Sequence, residues 1–204
     1  MKRMSYRAVT MVLLFVAAAG AASAQCVVDF ESFDLMGAEY LDTTETLVFN
    51  DVDGSGVTVM VTGNDDIRIY DLYLFGQDPS TTGQGMIDMN WVDYSNPAGT
   101  DIFFIPPVDS VYVVAGDFEG DDDSPIAITA YDSGDNVIAT DSTPWGSGVG
   151  PPFAELHANA IGIARVHYLS GGSYMNSTFI DLIGFAATSP VDGTTWGRVK
   201  AQYR

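Results

Sequence analysis

Two sets of carboxylates in this sequence have the type and spacing that bind a hard cation. Asp29 and Glu31 are two residues apart in the apolar run CVVDFE, so on a strand their side chains point to the same side. Asp181 lies alone in the apolar run FIDLIGF, where an unpaired carboxylate is costly. The first and last strands of a β-sandwich are often neighbours, so one Ca²⁺ held by these three residues would join the two ends of the domain.

The second set lies in the glycine-containing segment DFEGDDD. A solvated surface loop is an equally good interpretation of this segment, because like charges on a loop need no metal. We therefore treat it as the alternative calcium site. Its members are Glu119, Asp121, Asp122 and Asp123.

Several aromatic side chains fall in or beside segments that are predicted to be loops. An aromatic ring stacks on the apolar face of a pyranose, so exposed rings of this kind suit sugar binding. An equally good interpretation is that most of them cap the open ends of a sandwich. The predicted ligand-binding residues are Trp91, Tyr94, Trp145 and Tyr174.

The sequence carries no established catalytic signature. It has no G-x-S-x-G, no H-E-x-x-H and no cysteine close to a histidine, so His157 and His167 are interpreted as structural or surface residues. The segment DVDGSG resembles the first half of an EF-hand loop, but Thr62 stands where the bidentate Glu belongs, and a tight hairpin turn is the better explanation. We predict that the protein is not an enzyme. A carboxylate-based glycan hydrolase or lyase stays an alternative, since it requires only two carboxyl groups.

The two ends of the chain differ from the rest. Lys2, Arg3 and Arg7 precede a short apolar run that closes in Ala22-Ser23-Ala24, which predicts a signal peptide over residues 1–24 and a secreted or cell-surface protein. Residues 189–204 carry three of the remaining five basic residues and are predicted to form an exposed tail, a candidate sorting tag. Between them, residues 25–188 suffice for one domain with its own core.

Charge narrows the range of partners. Without residues 1–24 the chain keeps 27 acidic and five basic residues, a formal balance of −22. Nucleic acids and anionic membranes are bound by Lys and Arg, so this balance argues against both. We expect no membrane insertion after signal removal. The balance suits a protein in ionic extracellular surroundings and leaves carboxylates free for Ca²⁺.

Hydrophobic periodicity predicts an all-β fold. Apolar residues alternate with a period of two in runs such as Val57–Thr62, and clusters of Gly, Asp, Asn, Ser and Pro separate the runs. No run after residue 24 keeps a 3.6-residue apolar period over ten residues, as a helix would. Short strands at this spacing are typical of an antiparallel sandwich or barrel.

The stretch Pro106–Asp132 predicts two strands of a hairpin joined by the acidic loop. The preceding strand, Asp101–Ile105, is predicted to end at Pro106, because proline cannot donate to a ladder. A second hairpin is predicted between Ile126–Tyr131 and Asn136–Thr140, with glycine in its loop. Two further segments are predicted to be loops, Ser32–Glu45 and Asp141–Phe153.

Four segments together resemble bacterial secreted jelly-roll domains of the galactose-binding-like and carbohydrate-binding-module type: IFFIPPVDSVYVVAGDF, DDDSPIAITAYDSGDNVIATD, AIGIARVHYLSGGS and FIDLIGF. The resemblance covers residues 26–186. It implies a jelly-roll sandwich, and by analogy with calcium-binding members it implies Ca²⁺ on Asp29, Glu31 and Asp181. The ending SPVDGTTWGRVKAQYR is similar to short endings of some surface-exported bacterial proteins.

The sequence thus predicts an exported, non-catalytic, calcium-stabilised β-sandwich that binds glycan or extracellular matrix at the bacterial surface. One alternative is a structural or adhesive surface protein without a small-molecule site. The other is the carboxylate-based hydrolase or lyase.

Overall fold

The computed structural model describes residues 25–63, 66–72, 83–88, 99–117, 125–143, 153–170 and 178–187. These residues form an antiparallel β-sandwich of jelly-roll type, as predicted. The part of the chain described here contains no helix long and apolar enough to cross a membrane. Its strands are β1 (Gln25–Asp29), β2 (Tyr40–Asp42), β3 (Thr46–Phe49), β4 (Thr58–Thr62), β5 (Ile67–Asp71), β6 (Gln84–Asp88), β7 (Gly99–Asp117), β8 (Ile126–Tyr131), β9 (Val137–Thr143), β10 (Phe153–Ser170) and β11 (Thr178–Ala186).

The strands form because alternate residues enter one core. In β8, Ile126, Ile128 and Ala130 are fully buried while the residues between them are half-buried. Val59 and Val61 follow the same rule in β4. Successive side chains of a strand point to opposite faces, so this period turns one face of each sheet into core.

Two long strands pass from one layer of the sandwich into the other. The first half of β7 pairs with β4, and its second half pairs with β11. The bend falls at Pro106 and Pro107, after a cis Ile105–Pro106 peptide, where the missing N–H groups interrupt the ladder. Strand β10 follows β7 through both layers and bends at register shifts between Asn159 and Arg165, where Gly162 has φ +83°.

The first layer has the strand order β3-β4-β7-β10-β8-β9. In the second layer β10, β7 and β11 are adjacent, and β1 and β6 pair with the other edge of β11. Strands β5 and β2 continue from β6. The layers meet where Phe104 of the first packs edge-on against Phe185 of the second, with ring centroids 5.5 Å apart.

Three predictions about strand pairing are confirmed. Strands β1 and β11, the first and last, are neighbours, with Asp29 opposite Leu182. Strands β8 and β9 form a hairpin. The DVDGSG segment is a tight turn between β3 and β4, in which Asp51 and Asp53 adopt positive φ and accept backbone N–H bonds from Gly56 and Val27.

Other predictions were wrong. The strand does not end at Pro106, since β7 continues as far as Asp117. Strands β7 and β8 do not form a hairpin, because β10 lies between them and pairs with both. The predicted loop 32–45 contains β2, which pairs with β5. The predicted loop Asp141–Phe153 overlaps β9, which extends to Thr143, and β10, which begins at Phe153.

Candidate functional site

The aromatic residues predicted to bind ligand, Trp91, Tyr94, Trp145 and Tyr174, lie outside the described residues. The alternative acidic set, Glu119 to Asp123, also lies outside them. The predicted signal peptide and the tail 189–204 do so as well. These assignments therefore stay predictions.

The three carboxylates of the first calcium prediction are within the described residues. Asp29 ends β1 with an exposed side chain, and Asp181 is 0% exposed at the register shift between Ile180 and Leu182 in β11. Glu31 directs Oε1 to the backbone N–H groups of Gly83 and Gln84, the latter at 2.7 Å. Among the described residues no three acidic, histidine or cysteine side chains gather closely enough to share a metal ion. The trio therefore does not form a ready set of ligands, and calcium binding stays a prediction.

The outer face of the second layer carries aromatic and polar side chains from four neighbouring strands. Its strands β10, β7, β11 and β1 lie side by side, and residues directly opposite each other point to the same face. The residues between them, such as Leu156, Val111 and Ile183, are buried in the core, so the others lie on the opposite face, where Val114 and Leu182 are nevertheless covered and only 5% and 7% exposed. Three rows result, which we call the Tyr112 face: Asn159–Ser110–Ala186–Gln25, then His157–Tyr112–Gly184–Val27, then Glu155–Val114–Leu182–Asp29.

Tyr112 is the central aromatic residue of this face. A Cβ atom built on Gly184 would lie 1.8 Å from Cε1 and 2.1 Å from Cζ of Tyr112, so the ring lies directly over Gly184. The phenol continues in the direction of β1 and hydrogen-bonds to the Gln25 side chain. The ring therefore lies down across β11, which is open to it only because residue 184 lacks a side chain.

His157 extends the aromatic surface on the other side of Tyr112. The two rings are stacked at 29°, with centroids 6.1 Å apart. Nε2 of His157 is 3.2 Å from Oε1 of Glu155, and its backbone N–H donates to Asp141 Oδ2 at 2.8 Å. The imidazole is thus positioned by a ring on one side and a carboxylate on the other.

The electrostatics of the face follow from partial burial and acidity. Burial raises the pKa of the Tyr112 phenol, the Glu155 carboxylate raises it further, and the hydrogen bond with Gln25 opposes both. The phenol therefore stays protonated at neutral pH and is available as a hydrogen-bond donor or acceptor.

A second polar cluster lies on the outer face of the first layer. The Arg165 guanidinium is 3.9 Å from the centroid of Tyr131 and donates to Asp101 at 2.7 Å and to Asp135. Burial acts to lower the pKa of Arg165, but the bonds to Asp135 and Asp101 outweigh it, and the pKa lies above its usual value. The ion pair and the cation–π contact tie β10 to β7 and to the β8–β9 turn.

Arg68 repeats this arrangement at the edge of the second layer. Its guanidinium lies 4.1 Å from the centroid of Tyr40, pairs with Asp42, and donates to the Tyr70 hydroxyl at 3.2 Å. The contacts hold the short strand β2 on β5. Both arginines of the described residues are therefore engaged within the fold.

His167 and Asp101 form a histidine–carboxylate pair, with Nδ1 3.0 Å from Oδ1. The imidazole lies over Gly99, where a Cβ would come within 2.3 Å of Cε1. Within the described residues no hydrogen bond joins His167 to a serine or cysteine, as an activated nucleophile would require. Asp101 is also held by Arg165. We therefore interpret the pair His167–Asp101 as a structural contact.

Sequence reasoning did not single out Tyr112, His157 or Glu155 as site residues. Tyr112 and Gly184 both lie in segments predicted to be strands, but nothing local indicates that they stand opposite each other. A useful signal was present in retrospect: glycine in the middle of an apolar strand often marks the close approach of another group.

No family model matches the sequence, and no curated protein matches it. Among solved structures, a DUF4465 family protein from Bacteroides caccae matches at 10% identity and a TM-score of 0.49, over 79% of this chain and 99% of the other. TmCBM61 in complex with β-1,4-galactotriose matches at 12% identity and a TM-score of 0.40, over 63% and 88%. A family 6 carbohydrate-binding module matches at 9% identity and a TM-score of 0.34, over 79% and 93%. Similarity this low carries no ligand or activity over to this chain.

Proposed function

We propose that this protein is an exported, non-catalytic β-sandwich that binds glycan or glycan-containing extracellular matrix at the bacterial surface. One observation carries the proposal: the ring of Tyr112 covers Gly184 on an outer sheet face, with amide and hydroxyl side chains in the row on one side and carboxylates at the ends of the row on the other. The C–H face of a pyranose stacks on such a ring while its hydroxyls reach polar groups around it.

The supporting strands make the face suitable for binding. Tyr112 and Gly184 belong to β7 and β11, which pair with each other over most of their shared length. A ring held between backbone and neighbouring side chains has little conformational entropy left to lose when a ligand binds. A ligand therefore meets a surface that is already in place.

The same face suits binding better than hydrolysis. A glycosidase places two carboxyl groups about 5–10 Å apart across one scissile bond. Glu155 and Asp29 stand at opposite ends of the third row, on β10 and β1, with β7 and β11 between them. Three strand steps of ~4.8 Å separate their backbones by about 14 Å.

Export is part of the proposal because of the basic N-terminus and the Ala22-Ser23-Ala24 pattern. The acidic balance supports an extracellular setting and argues against nucleic acid as a partner. The proposal also includes a structural Ca²⁺. Its ligands would be either Asp29, Glu31 and Asp181 or the alternative set Glu119, Asp121, Asp122 and Asp123.

A glycan array probed with the chain from Gln25 to Arg204 tests the proposal. We expect reproducible hits on at least one class of pyranose oligosaccharide. A carbohydrate-binding protein of known specificity, run on the same slides, serves as the control. If the control gives hits and this chain gives none, glycan binding is wrong and a structural or adhesive role without a small-molecule site takes its place.

A further inference from the structure

We infer that the Tyr112 face is itself the glycan site and that it selects uncharged pyranose chains, with Glu155 and Asp29 excluding acidic sugars. This inference rests on the proposed glycan binding and adds to it the site and the class of ligand.

Shape is the first argument. Tyr112 lies over Gly184, and both Tyr112 and the residue beyond Gly184 in the row, Val27, are half-buried, so part of each side chain reaches the surface. Residues two apart on a strand are separated by roughly 6.7 Å, so the rows on either side of Tyr112 are each about 7 Å away. A sugar ring centred on Tyr112 therefore has the amide and hydroxyl side chains of the first row on one side. On the other side it has the buried Val114 and Leu182, with carboxylates at the two ends of that row.

Hydrogen bonding is the second argument. On one side of Tyr112, the row that contains Asn159, Ser110 and Gln25 offers amide and hydroxyl groups, which both donate and accept. On the other side, the exposed carboxylates of Glu155 and Asp29 only accept. Sugar hydroxyls donate as well as accept, so an uncharged pyranose satisfies both rows.

Charge is the third argument. A uronate or sulfate placed on the ring would meet Glu155 at one end of the third row and Asp29 at the other, and like charges oppose binding. Recognition of an anionic sugar requires a basic group. Arg68 and Arg165, the basic residues within the described ranges, are ion-paired elsewhere on the surface, and His157 is paired with Glu155. The side chains of the face therefore disfavour acidic glycans. In a chain that begins at Gln25 the α-amino group is an opposing charge in the first row, and acetylation of that amine in the tested chain removes it.

Titration calorimetry on the chain from Gln25 to Arg204 tests the inference with cellohexaose, mannohexaose, β-1,4-galactotetraose, hexagalacturonate and a glucosamine hexamer. We expect an uncharged oligosaccharide to bind more tightly than hexagalacturonate. Tyr112→Ala should weaken it about tenfold, because the stacking surface is lost, while Tyr112→Phe should stay within about threefold. Tyr131→Ala, an aromatic change on the other layer, is the matched control and should not alter affinity.

Neutral variants of the two carboxylates test the role of charge. In Glu155→Gln and Asp29→Asn, the ratio of the affinity for an uncharged oligosaccharide to the affinity for hexagalacturonate should fall by about fivefold or more. Added salt should lower the same ratio in the unaltered chain. Thermal melting of every variant shows that it is folded. Glu155→Gln and Asp29→Asn keep the size of the original side chains and lie on the same face, so they decide the question if Tyr112→Ala does not fold.

The outcomes separate the two proposals. If no oligosaccharide binds, glycan binding itself fails. If one binds and Tyr112→Ala leaves it unchanged while Trp91→Ala or Trp145→Ala abolishes it, glycan binding stands and the site inference is wrong. Preference for hexagalacturonate, or for the glucosamine hexamer in a salt-sensitive manner, overturns the selection for uncharged sugars.

Discussion

Three glycines in the part of the chain that the structure describes make room for a ring from a neighbouring strand. In each pair a Cβ on the glycine would come within 2.3 Å of a ring atom, closer than any real contact. These positions require glycine because the ring leaves no room for a side chain, and not because the backbone conformation is unusual. The pairs are Gly184 with Tyr112, Gly116 with Phe179 and Gly99 with His167.

The pair Gly184–Tyr112 leads to a prediction about stability. Gly184→Ala should lower the free energy of unfolding by about 1–3 kcal/mol, because the new methyl group forces the Tyr112 ring off the sheet. Urea denaturation measures this. In a Tyr112→Ala background the same change should cost at least about 0.5 kcal/mol less, since the obstacle is gone. Equal costs in the two backgrounds would show that the ring does not lie over residue 184.

Among the elements, the β8–β9 hairpin is organised by one carboxylate. Asp132 Oδ1 accepts the backbone N–H groups of Gly134 at 2.8 Å and Asn136 at 2.9 Å, and both its oxygens are close to the Asn136 amide nitrogen. These bonds, those from Asn136 above all, hold the pKa of Asp132 below its usual value. The turn residues that marked this hairpin in the sequence are those that make the bonds.

This depressed pKa predicts a pH dependence. The bonds favour the ionised carboxylate, so their stabilisation is fully present above the ordinary aspartate pKa, near 3.8, and is lost as pH falls through the lower pKa of the folded state. Asn136→Ala should raise the pKa of Asp132 toward its ordinary value. NMR titration of the carboxyl carbon measures this, with Ser133→Ala as the control in the same turn. A normal pKa in the unaltered protein would refute the bonding pattern.

The two long strands show why local sequence rules misplaced an element boundary. Pro106 was expected to end a strand because it cannot donate a hydrogen bond. In the structure Pro106 and Pro107 lie where β7 leaves β4 and moves to β11, a point at which the ladder changes partner in any case. Gly162 serves the matching bend in β10. A residue that interrupts pairing is tolerated where the strand bends between layers.

For the whole molecule, excess negative charge is the dominant physical property. A formal balance of −19 opposes the compact state through self-repulsion. Both described arginines are held between tyrosine rings and aspartates, so they offset the negative charge locally. Bound cations would relieve the repulsion further.

Calcium binding would change the stability of the whole molecule. If Ca²⁺ binds the native state alone, a concentration of 100 times Kd stabilises it by about 2.7 kcal/mol, or roughly 5–10 °C in melting temperature for a domain of this size. EDTA should remove this gain. NaCl of equal ionic strength controls for screening. Asp181→Asn tests the first set of ligands. A variant in which Glu119 is replaced by Gln and Asp121, Asp122 and Asp123 are replaced by Asn tests the second. An unchanged melting temperature with EDTA would show that calcium does not stabilise the fold.

The sequence by itself determined most of the strands and the all-β class, because burial of alternate side chains is a local property with a period of two residues. It also placed the β8–β9 turn and the neighbouring first and last strands. The buried position of Asp181 followed from the apolar residues around it.

Tertiary structure alone decided which strands pair. That β10 inserts between β7 and β8, and that Tyr112 stands opposite both Gly184 and His157, depends on register between distant segments. Register is selected by how all the core side chains pack at once, and a shift of one residue would turn every side chain to the other face. The Tyr112 face therefore exists only in the folded protein, as the joint product of four strands whose individual sequences do not reveal it.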